Sequence, residues 1–94
     1  MGESKFRDAL EQRHTFPGPY MFKIMGKPDD QFVERVVASV RQELQLPMDP
    51  EFQVKRTANG RHVSITVEPI VPSVDEVLSL YAVLGEIPGV VFLL

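Results

Sequence analysis

The residues able to do acid–base, nucleophilic or metal chemistry are few, and they are scattered. The 94-residue chain has two histidines, His14 and His62, and no cysteine. Disulfides and thiolate metal sites are therefore excluded, and two isolated imidazoles make no zinc site without carboxylate help. Ser64 has no histidine–acid pair at a spacing that would activate its hydroxyl. Asp29-Asp30 and Asp75-Glu76 are adjacent acids, but each pair opens a helical pattern. Carboxylates placed there cap free amides and meet the positive end of the helix dipole, which leaves no acid–base pair. His62 reads as a solvated side chain beside a turn, and His14 receives no role. The expectation is a chain with no catalytic residue, metal or cofactor.

The elements that position these residues are clear. Residues 1–16 form an N-terminal arm in which Phe6, Ala9 and Leu10 have the spacing of a short, loosely docked helix. Phe16-Pro17-Gly18-Pro19 breaks it. Tyr20–Met25 alternates as a strand, with Tyr20, Phe22 and Ile24 on one face and Met21, Lys23 and Met25 on the other. From Asp30 to Gln45, the residues Phe32, Val33, Val36, Val37, Val40 and Leu44 draw one apolar helical stripe, which Pro47 and Pro50 end. Phe52–Thr57 and His62–Glu68 are strands joined through Asn59-Gly60, a pair that suits a type I′ hairpin turn. Ser73-Val74-Asp75-Glu76 reads as a capping box, with Ser73 as the cap. A second helix follows to Leu84, with Gly85 at its end. Pro88-Gly89 then turns the chain into a last strand, Val90–Leu94.

Composition narrows the class. Hydrophobic residues make up 44% of the chain and the formal net charge is −3. One self-sufficient core is expected, spanning residues 17–94 as a single domain. The mixed charge argues against a phosphate-binding surface; the basic side chains that would carry nucleic acid are Lys23, Lys55, Arg56, Arg61 and His62. The longest apolar run, at the last strand, falls far short of a bilayer span, and no signal peptide is recognisable. Met1-Gly2 matches the start of a myristoylation signal, but Phe6 stands where Ser or Thr is required. A cytoplasmic chain without membrane contact is expected.

Strand, helix, hairpin, helix, strand describes two interlocked right-handed β-α-β crossovers. The implied fold is α+β, a ferredoxin-like βαββαβ sandwich whose four-stranded antiparallel sheet carries both helices on one face. The first and third strands are then central. Because the last strand is apolar at every position, some of it must face away from the helices. One parity puts Val91 and Leu93 beside Met21 and Met25; the other puts Val90, Phe92 and Leu94 there. Met21, Met25, Val91 and Leu93 are taken as the interface residues.

Two other proteins of this topology fit poorly. An acylphosphatase needs an arginine in a phosphate-cradling loop after the first strand, where this chain offers Lys27. An RNA-recognition domain stacks bases on aromatic side chains of its central strands, whereas Ser64 and Thr66 stand on the third strand here.

The run from Phe16-Pro17-Gly18-Pro19-Tyr20 through Lys23-Ile24-Met25-Gly26 resembles the opening of the YbeD-like family of small bacterial proteins. His62-Val63-Ser64-Ile65-Thr66-Val67 and Leu80-Tyr81, Leu84-Gly85 and Ile87 are similar to the same family, in the same order. The resemblance covers residues 16–94. It implies an ACT-like ferredoxin fold and a label as a lipoate-binding regulator, with no catalytic residue defined. ACT domains hold small ligands at a glycine-containing loop between the first strand and first helix, usually at a dimer interface. By that likeness Gly26, Lys27, Asp29 and Asp30 are the candidate ligand contacts, through helix-start amides and an acid pair. Many ACT loops place the glycine after the proline, whereas Gly26 precedes Pro28 here.

Three functions stay open. The first is a regulatory module sensing a metabolite such as an amino acid or lipoate, or regulating an enzyme, as a homodimer or with a protein partner. The second is an adaptor without a ligand, using the open sheet face and last strand. The third and weakest is nucleic-acid binding.

Overall fold

The computed structural model describes residues 2–94, with side chains from Lys5 onward, so Met1 of the Met1-Gly2 start lies outside the described residues. Helix α1 (Gly2–Arg13) leads through a two-residue strand β1 (Gly18–Pro19) into β2 (Phe22–Gly26). Then come α2 (Asp30–Glu43), β3 (Phe52–Arg56), β4 (Val63–Val67), a second two-residue strand β5 (Ile70–Val71), α3 (Val74–Gly85) and β6 (Val90–Leu93). The main sheet is antiparallel throughout, in the order β3-β4-β2-β6. This is the expected ferredoxin-like order, with the first and third long strands central. The small β1–β5 ribbon is an addition that two-residue segments do not announce.

Alternation along the strands decides what is buried. Phe22, Ile24, Val63, Ile65 and Val67 turn to one face, where Phe32, Val36 and Val40 of α2 and Val77, Leu80 and Leu84 of α3 meet them in one core. The segment expected as an arm is helical as far as Arg13. Its Leu10 is buried in the core, Phe6 lies against the Tyr81 ring, and Arg7 pairs with Asp75 at 2.7 Å. Burial of the Leu10 side chain alone contributes on the order of 2 kcal/mol. The Phe16–Pro17 peptide bond is cis.

Three local expectations are corrected. Ser73 makes no side-chain cap; its hydroxyl instead donates to the Glu76 carboxylate. In the hairpin only Gly60 has a positive φ, at 70°, so the turn is not type I′. The Gly60 N–H bonds to the Thr57 carbonyl and the Thr57 N–H to the His62 carbonyl, which makes a four-residue loop with glycine in the left-handed position. Helix α2 ends at Glu43 with Leu44 as its cap, ahead of the prolines and short of the expected Gln45. Gln45 adopts φ 53°, and the Leu46 N–H reaches back to the Arg41 carbonyl, a Schellman closure made without glycine.

Candidate functional site

The last strand settles the parity that its uniform composition left open. Leu93 pairs with Ile24 and packs on the helix side, while Phe92 pairs with Met25. Leu94 exchanges both backbone hydrogen bonds with Lys23, at 2.8 and 3.0 Å, and so shares the open face. Leu93, expected on the open face, therefore lies on the helix side, and Phe92 and Leu94 hold the open-face positions instead. The physical reason is packing: on the helix side Leu93 joins the core beneath α3, which leaves Phe92 and Leu94 for the open face. The register also shifts between Met25 and Gly26, a bulge that leaves Val91 exposed outside the regular pairing.

The face not covered by helices therefore has two halves. Along β2 and β6 it carries Met21, Met25, Phe92 and Leu94 around the single cation Lys23. Phe92 and Leu94 are 54% and 59% exposed. Along β3 and β4 it carries Gln53, Lys55, Ser64 and Thr66. At the β3 end lies a shallow hollow of about 650 Å³, lined by Met21, Gln53, Thr66 and the acids Asp49, Glu51 and Glu68. No lysine or arginine lines that hollow, so its electrostatics suit no carboxylate ligand.

The loop after β2 is tightly built. Gly26 is buried, and a Cβ there would meet the Phe32 ring and come within 2.6 Å of the Gly89 carbonyl oxygen. The glycine is required by the close approach of three elements. Backbone donors in the loop are largely spent within the chain. The Lys27 N–H bonds to the Gly89 carbonyl, the Asp29 N–H to the Lys27 carbonyl, and Asp29 caps α2 by accepting from the Phe32 N–H at 2.6 Å. The side chains of Lys27 and Asp30 are exposed. Of the four candidates, then, two are occupied by the fold and two present charge to solvent.

The five basic candidates do not form one surface. Strand parity sets Lys23, Lys55 and His62 on the open side, turns Arg56 to the helix side, and leaves Arg61 in the hairpin loop. Sequence reasoning missed a further cluster. The hydroxyls of Tyr20 and Tyr81 lie 2.9 Å apart, and the His14 ring lies tilted against Tyr20 with centroids 4.8 Å apart. Burial, and then the bonded Tyr20 hydroxyl, hold the Tyr81 phenol well above the usual tyrosine range. The period of α3 places Tyr81 on its apolar stripe, but only the tertiary structure brings Tyr20 to it. Among the described residues, no group of three or more histidines and carboxylates is placed to hold a metal ion, and no helix is long and apolar enough to cross a membrane.

A family model described as a protein of unknown function, DUF493, matches residues 11–94. A UPF0250 protein of Shewanella oneidensis is 33% identical over 90 residues, which is 96% of each chain. A UPF0250 protein of Vibrio cholerae is 33% identical over 85 residues, 90% of this chain and 86% of its own.

Proposed function

The chain belongs to the DUF493 family of proteins of unknown function, and on that premise we propose that it is a small non-enzymatic module that acts by docking another protein on the apolar half of its open sheet face. The observation that carries this reading is the exposure of Phe92 and Leu94 beside Met21 and Met25, on the side away from both helices. An apolar strip around one lysine fits a partner surface that is apolar with an acidic spot. In this reading the partner is an enzyme or regulator whose activity the docked module alters.

A photo-crosslinking residue placed at Phe92 tests it in cells, against the same residue at Gln42 on α2. A discrete crosslinked protein from position 92, absent from position 42 and lost when Met25→Asp is added, supports the reading. Equal products from both positions overturn it.

A metabolite-sensing reading is favoured by one feature, the opposite charges of Lys27 and Asp30 exposed at one helix start, which suit an amino-acid zwitterion. It is tested by thermal shift against amino acids, lipoate and octanoate. A ligand at 100 times its Kd adds about 2.7 kcal/mol, a shift of several degrees. That shift must vanish in Lys27→Ala for the loop to be the site.

A further inference from the structure

The opposite edge of the sheet has its own pattern, independent of the open face. All five residues of β3 are exposed, including Phe52 and Val54, whose relative exposures are 42% and 44%. Both turn to the helix side, since Phe52 pairs with Val67 and Val54 with Ile65. There α2 covers them only in part, leaving a groove lined by Val33, Val37, Ala38 and Phe52. Among the described residues, no strand pairs with the outer side of β3.

Hydrogen-bond parity shows which backbone groups that outer side offers. Thr57 donates its N–H to the His62 carbonyl, so 57 and 62 form a bonded pair. Bonded and non-bonded pairs alternate in an antiparallel ladder, which makes Lys55–Ser64 and Gln53–Thr66 bonded pairs as well. Phe52, Val54 and Arg56 then aim their N–H and C=O groups outward. The residues that present free backbone are the same ones that present uncovered apolar surface.

We propose that β3 is the interface for a second copy of this chain, pairing antiparallel with β3 of the partner about a two-fold axis at Gln53. In that register Phe52 faces the other copy's Val54 and Val54 its Phe52, so the half-covered side chains cover each other. The outward backbone groups of these two residues exchange hydrogen bonds. On the open side Glu51 meets Lys55 of the other copy, twice by symmetry. Neither residue has an ion-pair partner among the described residues. Shifting the register by one step each way loses this match. An axis at Val54 faces Lys55 with Gln53 and Phe52 with Arg56, and an axis at Phe52 moves Pro50, which has no N–H to give, from the end of the ladder opposite Arg56 to face Val54. Edge strands with unpaired backbone are templates for such addition, and cross-strand aromatic–β-branched and opposite-charge pairs set the register. The assembly is a continuous eight-stranded sheet with a two-fold axis, the commonest oligomer symmetry.

Sedimentation velocity over a concentration series tests this with the full chain. The wild type is expected to show a monomer–dimer equilibrium. Glu51→Lys alone and Lys55→Glu alone each create two like-charge contacts and weaken it by roughly tenfold. Mixed in equal amounts, the two variants restore it, because each then supplies what the other lacks. Restoration on mixing cannot come from a folding defect. Val54→Pro removes an outward N–H without touching a β3–β4 bond and is expected to abolish the dimer. Far-ultraviolet circular dichroism like that of the wild type shows that it remains folded. A chain that is monomeric at every concentration overturns the proposal. So does a dimer indifferent to the charge variants, or one that dissolves in Phe92→Asp while the charge variants leave it intact.

Discussion

The two edges of the sheet are built in opposite ways. At β6, the helix-side residues Val90 and Leu93 pack into the core beneath α3, and the apolar surplus, Phe92 and Leu94, faces the open side. At β3, the helix-side residues Phe52 and Val54 remain half exposed, and the open side carries Gln53 and Lys55. One edge is sealed by its own helix and exposes its other face; the other is sealed on neither. A sheet with four strands and two helices has enough helix surface to cover its centre, and the edges show how the shortfall is distributed. Apolar exposure appears on both faces of the molecule, at opposite edges, so the two proposed interfaces do not compete for surface.

The comparison breaks most severely at Gly26. This residue sits where β2, α2 and the turn into β6 converge, and even Gly26→Ala would drive a methyl group into the Phe32 ring and the Gly89 carbonyl. Urea unfolding is expected to show a loss of about 3 kcal/mol or more, by overpacking, with β6 the first element to detach. A variant at this position reports on folding and is of no use as a ligand-binding test.

A smaller effect sharpens the difference between the edges. Leu93→Ala is expected to cost about 2 kcal/mol, because the side chain is packed against the core. Val54→Ala should cost less than about 1 kcal/mol in the monomer, since nearly half of its surface is already in water. Comparable losses in equilibrium unfolding would mean that α2 seals β3 after all.

Phe92→Asp changes stability by less than about 1 kcal/mol, as expected for a solvated position. Under the proposed function it removes partner capture, which separates binding from folding at β6.

Away from both edges, Tyr81→Phe removes the bond to Tyr20 and should cost about 1 kcal/mol. The pH dependence has a definite sign. The folded-state pKa of Tyr81 is raised, so the native state resists its ionisation while the unfolded chain ionises at about pH 10. Its contribution is complete below that pH and declines as pH rises beyond it. Unfolding curves at pH 8 should be insensitive to this group, and by pH 11 the wild type should have lost more stability than Tyr81→Phe.

Much of this architecture was legible in the sequence, and the failures have physical causes. The stripe from Phe32 to Val40 and the alternation Val63, Ile65, Val67 each have one period and one apolar face, so element and orientation followed directly. Five apolar residues in a row carry no such contrast. The parity of β6 is decided only by its register against β2, which turns Leu93 onto the core. The Asn59-Gly60 pair marked the hairpin but not its turn, because loop length and the Thr57–His62 bond select the geometry. At the loop after β2, glycine, lysine and two acids were visible as a cluster. That the backbone there closes on Gly89, some sixty residues later, depends on tertiary contact alone.

The strand order also has a kinetic consequence. Only β3 and β4 are joined by a short connection; β2 must find Val67 on one side and Leu93 on the other, far along the chain. Closing such loops costs entropy before any side-chain contact offsets it. The hairpin and the two helices are expected to form early, with β2 adding to β4 later and β6 closing the sheet on β2 last. Refolding should then take milliseconds to seconds, in the slower regime of high contact order.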